Sequence, residues 1–357
     1  MSDKLPHLAG RGSSIKPQNR FLGTEYVEDF EHFEGDEEFL AELGKCSTEY
    51  FADTSKSIVS QNDSPDLSFR YSLNPYRGCA HGCAYCYARP THEYLGLNAG
   101  IDFESKIFVK EEAPKLLREF LCRPGYQPDV IQISGVTDCY QPIERKYRLT
   151  RGCLEVALEA RQPISIVTKN ALIVRDLDLF QEMAKRKLIL IFLSVTSLKQ
   201  ELTRVLEPRT SAPEARLKAI EKLSAAGVPV GMMVAPIIPG LNDSEIPAIL
   251  EAGAKAGALR AQYTLLRLPW TVKPVFEAWL KEHVPEQAEK ILNGVRSTRG
   301  GKLNDPNYSS RMRGEGLRAE QVGRTFEVFR RKFGLDRTLP GLECGEFRKP
   351  NGERLLF

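Results

Sequence analysis

The chain has 357 residues, 42% of them hydrophobic and 27% charged, with a formal net charge of +3 and eight cysteines. These are the proportions of a globular protein, long enough for one large α/β domain or two smaller ones. No run of about 18 apolar residues occurs, which excludes a membrane-spanning helix, and the polar N-terminal stretch 1–16 lacks the apolar core of a secretory signal. Eight cysteines in so long a chain point to a reducing compartment, and a cytoplasmic location is expected.

Charge is unevenly spread. Residues 1–65 hold 6 Lys/Arg against 13 Asp/Glu. The acidic run 25–49, with Phe30, Phe33 and Phe39 among its charges, is too charged to fold alone. Residues 1–65 are therefore expected to form an acidic N-terminal extension that lies partly ordered on the main domain.

After Asp66, apolar runs begin to alternate with helical patterns. A short strand at 68–73 runs into Asn74-Pro75-Tyr76-Arg77-Gly78 and a cysteine-rich loop. A small extra strand at 106–110 and an amphipathic helix at 113–121 follow. Next come a buried strand at 130–134, a helix at 149–161 with Leu154, Ala157 and Leu158 on one face, a strand at 164–168 and a helix at 176–186. The continuous apolar run 188–195 reads as a parallel strand covered on both faces. A helix at 213–226 has Pro just inside its start and Gly227 after its end, as capping favours. A strand at 228–235, a helix at 244–256 closed by Gly257 and a strand at 262–267 complete the series.

Six β-then-α units over about 68–285 imply a parallel sheet with right-handed crossovers. A doubly wound nucleotide fold would place a glycine-rich turn after its first strand. Here that turn is a cysteine loop, and a partial (β/α)6 barrel of the TIM type over 66–285 is expected. Residues 286–357 read as a basic helical extension, with helices at 286–296 and 318–333 around a polar loop. Residues 291–357 carry 14 Lys/Arg against 8 Asp/Glu. Such a stretch is either the footprint of a nucleic-acid site or a solvated helical face.

The loop Cys79-Ala80-His81-Gly82-Cys83-Ala84-Tyr85-Cys86 has the spacing C-x3-C-x2-C and is followed by Tyr87. Three thiolates on one short loop suit three irons of a cubane 4Fe–4S cluster and leave the fourth without a protein ligand. A cluster held only for electron transfer normally has all its positions filled by Cys; an open iron can bind a substrate or cofactor. A structural zinc site is the rival, with His81 or His92 as fourth ligand. It would make the chain a zinc-stabilised nucleic-acid-binding protein without catalysis. Redox chemistry at Cys83 and Cys86 leaves Cys79 unexplained. Cys46, Cys122, Cys153 and Cys344 are scattered singly.

The stretches NPYRGCAHGCAYCYARPTHEYLG, SGVTDCYQPIE, VTKN, LSVTS, LEPRTS and APIIPGLND, in this order on six βα units, resemble the radical S-adenosylmethionine (SAM) superfamily. Within it they are similar to a bacterial subgroup of the spore-photoproduct-lyase-like, DNA-repair-photolyase-related branch. The resemblance covers about 68–270. It implies a 4Fe–4S cluster on Cys79, Cys83 and Cys86, with SAM chelating the fourth iron. It also implies reductive cleavage of SAM, hydrogen abstraction from a substrate that a nucleic acid or nucleotide could supply, and an electron donor such as flavodoxin or ferredoxin.

Further positions follow from the same resemblance. Tyr85 matches the aromatic that packs by adenine. Ser134, Gly135, Thr137 and Asp138 end the second strand, where the superfamily commonly has a Gly-Gly-Glu stretch meeting the SAM amino group. No Glu is present here, so Thr137 or Asp138 must serve. Lys169 and Ser194, ending the third and fourth strands, are expected to meet the SAM carboxylate and ribose. Glu207 and Arg209 either line the SAM pocket or pair with one another. Ile237 and Ile238 form an apolar wall for adenine or belong to the core. Cys139 is either a thiol that returns a hydrogen atom at the barrel mouth or a buried spectator. Trp270 and Trp279 either stack a base or pack in the core.

Overall fold

The computed structural model describes residues 10–22 and 46–350. Most of the acidic run at 25–49 lies outside the described residues. The chain builds a seven-stranded sheet and a small three-stranded one. In chain order the strands are β1 (Glu49–Ala52), β2 (Val59–Gln61), β3 (Tyr71–Leu73), β4 (Tyr76–Arg77), β5 (Lys106–Val109), β6 (Ile131–Ile133), β7 (Ile164–Thr168), β8 (Ile189–Ser194), β9 (Val230–Ile237) and β10 (Arg260–Leu265).

The large sheet runs β10-β9-β8-β7-β6-β3-β2, all parallel except β2, which pairs antiparallel with β3. Six parallel strands thus lie side by side in sequence order, with no reversal of the kind that marks a doubly wound sheet. The sheet is open, because β10 and β2 are its two ends. This is the expected partial barrel. One register row crosses five strands through Leu73, Ile133, Ile166, Ile191 and Val230, and all five side chains are fully buried. Burying each such side chain stabilises the fold by roughly 1.5–3 kcal/mol.

Helices Leu149–Ala160, Leu177–Lys185, Pro213–Ala225 and Ile246–Lys255 lie where the apolar periodicity predicts them, within a few residues. A 3-10 turn, Ala171–Asp176, precedes the second of these; its cap Asn170 accepts from the Leu172 N–H through its side chain. The strands β1, β2 and β4 have no counterpart in the sequence reading. They are two to four residues long, β1 is exposed throughout, and only pairing with other segments makes them strands. β1 lies parallel to β5 in the small sheet, so the end of the acidic N-terminal stretch is docked there.

The basic C-terminal stretch is packed on the barrel too. Helix Leu317–Lys332 sets Phe326 against Tyr263 of β10, with ring centroids 4.6 Å apart. Asp336 bridges Arg260, and the Ala261 N–H donates to the Leu335 carbonyl, so the free edge of β10 is covered. Upstream, the Leu265 and Leu268 N–H groups donate to the carbonyls of Met312 and Leu303, bringing that loop over the C-terminal end of β10. No described helix is long and apolar enough to cross a membrane.

Candidate active site

The cysteine loop follows β3, and Ser134, Lys169, Ser194 and Ile237 lie at the C-terminal ends of β6, β7, β8 and β9, the end at which barrel folds place their sites. The loop follows β3 and the short strand β4. It is fixed by its own turns, Gly82 N–H to Cys79 O and Cys86 N–H to Cys83 O, both 3.2 Å. The Cys79 N–H donates to the Phe103 carbonyl and the Ala84 N–H to the Leu206 carbonyl. Arg89 lies beneath the loop, donating to the carbonyls of Gly82 and Cys83 and pairing with Glu104 at 3.1 Å, with both side chains fully buried. Gly82 sits at φ +65°, and a β-carbon there would overlap a Glu104 carboxylate oxygen.

Two residues that the sequence reading did not single out hold the loop, one from the barrel side and one from the outer side. Gln141 is fully buried. Its Oε1 accepts from the Ala80 N–H (2.9 Å), while Nε2 donates to Thr137 Oγ1 (3.1 Å) and to the Gly78 carbonyl (3.4 Å). From the outer side, the Gly12 N–H donates to Glu104 Oε2 at 2.9 Å, and Arg11 donates to the carbonyls of Glu104 and Cys46. A lone Gln and a Gly in a polar N-terminal stretch carry no local pattern. Only the folded chain shows their partners.

The structure reassigns several expected ligand-binding groups to internal bonds. The Thr137 hydroxyl donates to the Gly78 carbonyl at 2.6 Å. Asp138 accepts at Oδ1 from Thr168 Oγ1 (2.7 Å) and the Tyr140 N–H (2.9 Å), and at Oδ2 from the Lys169 N–H (2.9 Å), with His81 Nδ1 3.4 Å away. Burial alone would raise its pKa, but His81 and these donors hold it down to about 2. Both its oxygens are occupied, so Asp138 ties the β6 turn to the cysteine loop and the end of β7. Ser134 sits at φ +76°, a strained conformation for a non-glycine residue, and its Oγ accepts from the Cys139 N–H. The Gly135 N–H donates to Asn74 Oδ1, and the Gly135 carbonyl accepts from the Tyr87 hydroxyl at 2.6 Å.

Glu207 does not pair with Arg209. It forms a fully buried ion pair with Arg216 (2.6 Å), accepts from Thr196 Oγ1 (2.6 Å) and receives the Tyr85 hydroxyl. Burial opposes the charge, but Arg216, Lys169 and these hydroxyls hold its pKa down to about 2. Arg209 instead reaches the Gly10 carbonyl and Thr48. The Ser194 carbonyl accepts from Arg216 at 3.0 Å. Lys169 differs from these groups. Its ammonium lies 5.8 Å from the centre of the Tyr85 ring with no carboxylate within 4 Å among the described residues, and the field of Glu207 keeps it charged against the effect of burial.

The apolar side of the site is shared by Cys83, Tyr85, Leu206 and Ile238, which pack in one buried cluster, while Ile237 lies in the main core. Cys139 is fully buried in that main core as well, with Tyr76, Tyr140 and Cys153. Burial in the core is the second of the two alternatives for this thiol, which follows the turn after β6. Trp279 is buried, stacks on Phe276 and donates to the Val205 carbonyl, whereas Trp270 is exposed under Arg20.

Cys79 and Cys83 are each 8% exposed and Cys86 is half-buried; all three thiols are free. Among the described residues no three His, Cys, Asp or Glu side chains converge as the ligands of one metal ion would. Of the two histidines of the zinc reading, His81 has a neighbour at both ring nitrogens, whereas His92 is bonded at Nε2 and its buried Nδ1 has no partner among the described residues. Asn170 Oδ1 accepts from the Leu172 N–H and from Ser211 Oγ, which turns Nδ2 toward His81 Nε2 at 3.1 Å. Burial works against a charge on His81, but Asp138, 3.4 Å from Nδ1, and Cys79 push its pKa up to about 10. His92 is buried edge-on to Phe103 and donates from Nε2 to the Lys106 carbonyl. Zinc needs four donors around one centre.

The family model described as the Radical SAM superfamily matches residues 73–253. Uncharacterised proteins of Mycobacterium tuberculosis and Mycobacterium bovis are 37% identical over 249 residues, 69% of this chain and 72% of theirs. One from Methanocaldococcus jannaschii is 32% identical over 224 residues, 63% of this chain and 80% of its own. Among solved structures, spore photoproduct lyase complexed with dinucleoside spore photoproduct superposes with a TM-score of 0.58 at 16% identity. The match covers 80% of this chain and 79% of that one, which is a likeness of fold.

Proposed function

Because this chain belongs to the radical SAM superfamily, we propose that Cys79, Cys83 and Cys86 hold a 4Fe–4S cluster whose fourth iron is left for SAM. Membership makes the chain a radical SAM enzyme. The cluster and SAM together supply one-electron cleavage of the sulfonium and the abstraction of a hydrogen atom from a substrate. The observation that carries the cluster assignment is a loop of three free thiols at the strand mouths, its backbone held on both sides by Arg89 and Gln141.

The chain's own residues have distinct parts in this reading. Lys169, charged and with no carboxylate within 4 Å among the described residues, binds the SAM carboxylate. Tyr85 and Ile238 form an apolar wall for adenine beside Cys83, and the bond from Tyr85 to Glu207 fixes the ring. Ser134, Gly135 and the end of β8 at Ser194 shape the rest of the mouth. Thr137, Asp138 and Glu207 support the site by positioning its loops. An electron donor of the flavodoxin or ferredoxin kind supplies the reducing equivalent. The basic C-terminal stretch, docked at the end of β10, favours a nucleotide or nucleic-acid substrate.

Anaerobic reconstitution tests the reading. About four irons and four sulfides per chain are expected, with 5′-deoxyadenosine formed from SAM on reduction. Cys83→Ala should lose both. An intact cluster that yields no 5′-deoxyadenosine would overturn it. Binding to DNA or RNA should weaken steeply with salt, and no binding at low salt would remove nucleic acid as substrate.

A further inference from the structure

Arg267 lies two residues beyond the last residue of β10, at the same mouth as the cysteine loop. Its guanidinium sits 5.5 Å from the centre of the Tyr87 ring. Tyr87 directly follows Cys86, is 50% exposed and is pinned by its hydroxyl to the Gly135 carbonyl. The two tyrosines flanking Cys86 therefore each carry a cation, Lys169 over Tyr85 and Arg267 over Tyr87.

The two other deeply placed arginines here find acceptors within the protein. Arg299 donates to the carbonyls of Leu265, Leu266, Ser310 and Arg311. Arg311 is held by Asp66 through two bonds of 2.5 Å. Arg267 is half-buried, yet among the described residues it has neither a carboxylate within 4 Å nor an acceptor at hydrogen-bond distance. Burial and the neighbouring Arg311 both work against its charge. Its nitrogens are not sealed off without a partner and keep access to water. A fold that keeps it so leaves a fork of donors open to the mouth, and such a fork matches a carboxylate or phosphate through two parallel bonds.

We propose that Arg267, on its Tyr87 platform, anchors an oxyanion of the substrate, a phosphate or a carboxylate. The inference rests on the reading of this mouth as the active site and adds the substrate's charge to it. Lys169 and Arg267 then divide the work, one holding the SAM carboxylate and the other the substrate.

The test is calorimetric titration of the reconstituted protein, without reductant, with inorganic phosphate and with malonate. At least one should bind, and Arg267→Gln should weaken it about tenfold or more, whereas Arg313→Gln, at an exposed position, should not. Tighter phosphate binding assigns a phosphate-bearing substrate and tighter malonate binding a carboxylate. The melting temperature of Arg267→Gln should match that of the parent, since no hydrogen bond or ion pair among the described residues is lost; a structural arginine would lower it. No binding of either anion, or equal binding by parent and Arg267→Gln, overturns the proposal. Failure of the radical reading would show instead as missing 5′-deoxyadenosine, with the anion titration unchanged.

Discussion

Gly12 lies against Gly82 so closely that a β-carbon on Gly12 would overlap the Gly82 carbonyl oxygen. The N-terminal stretch is therefore seated directly on the backbone of the cysteine loop, and its own N–H reaches the Glu104 carboxylate beneath that loop. Gly12→Ala should force the two segments apart at a cost of about 1–3 kcal/mol. A lower melting temperature and less iron bound per chain after reconstitution are expected. Parent-like values for both would show that the contact yields without consequence.

Gln141 is a positioning residue for the same loop. Gln141→Leu leaves the buried Ala80 N–H without its acceptor, a loss of about 1–3 kcal/mol. Thr137 and Gln141 both hold the Gly78 carbonyl, so Thr137→Val and Gln141→Leu should be non-additive. Chemical denaturation of the two single variants and the double variant measures that coupling, and strict additivity would refute a shared clamp.

The Glu207–Arg216 pair is wholly buried. Removing one partner leaves a charge without compensation, and Glu207→Gln should cost about 3–5 kcal/mol. The combined replacement Glu207→Leu with Arg216→Met should recover part of that stability, because Arg216 is no longer left buried without its partner. Recovery of stability without recovery of SAM cleavage would separate packing from positioning of Tyr85, whose hydroxyl bonds to Glu207.

His92 gives the stability a pH dependence. Burial pushes its pKa down to about 4 from an unfolded value near 6.5. The unfolded chain then binds the proton more readily, so stability is complete above about pH 6.5 and falls as the pH drops toward 4. The loss from this one group reaches about 3 kcal/mol at full protonation. Denaturation of the parent and of His92→Gln at about pH 7 and pH 5 checks this: the variant should show the shallower decline. Parallel declines would place the dependence elsewhere.

The architecture was legible because its signals are local. Apolar runs such as 188–195 announce strands covered on both faces, and Pro213 and Gly227 bracket a helix through backbone preferences that act within a turn. The cysteine spacing was legible for the same reason, since three thiols in eight residues must share one loop. Short strands such as Glu49–Ala52 were not legible, because four exposed residues become a strand only through β5.

Within the site, sequence reading identified the residues near the mouth but not the direction in which they face. Thr137, Asp138 and Cys139 are consecutive, yet the turn sends the first to the Gly78 carbonyl, the second to His81 and Thr168, and the third into the core. Residue type and spacing by themselves determined the βα order, the open end of strands and the thiol triplet at that end. The tertiary structure decided which polar groups are already spent on one another and which, Lys169 and Arg267, still face the mouth. The reason is physical: a hydrogen-bond partner is set by position in space, and residues 122 positions apart in the chain, such as Tyr85 and Glu207, meet only when the barrel has formed.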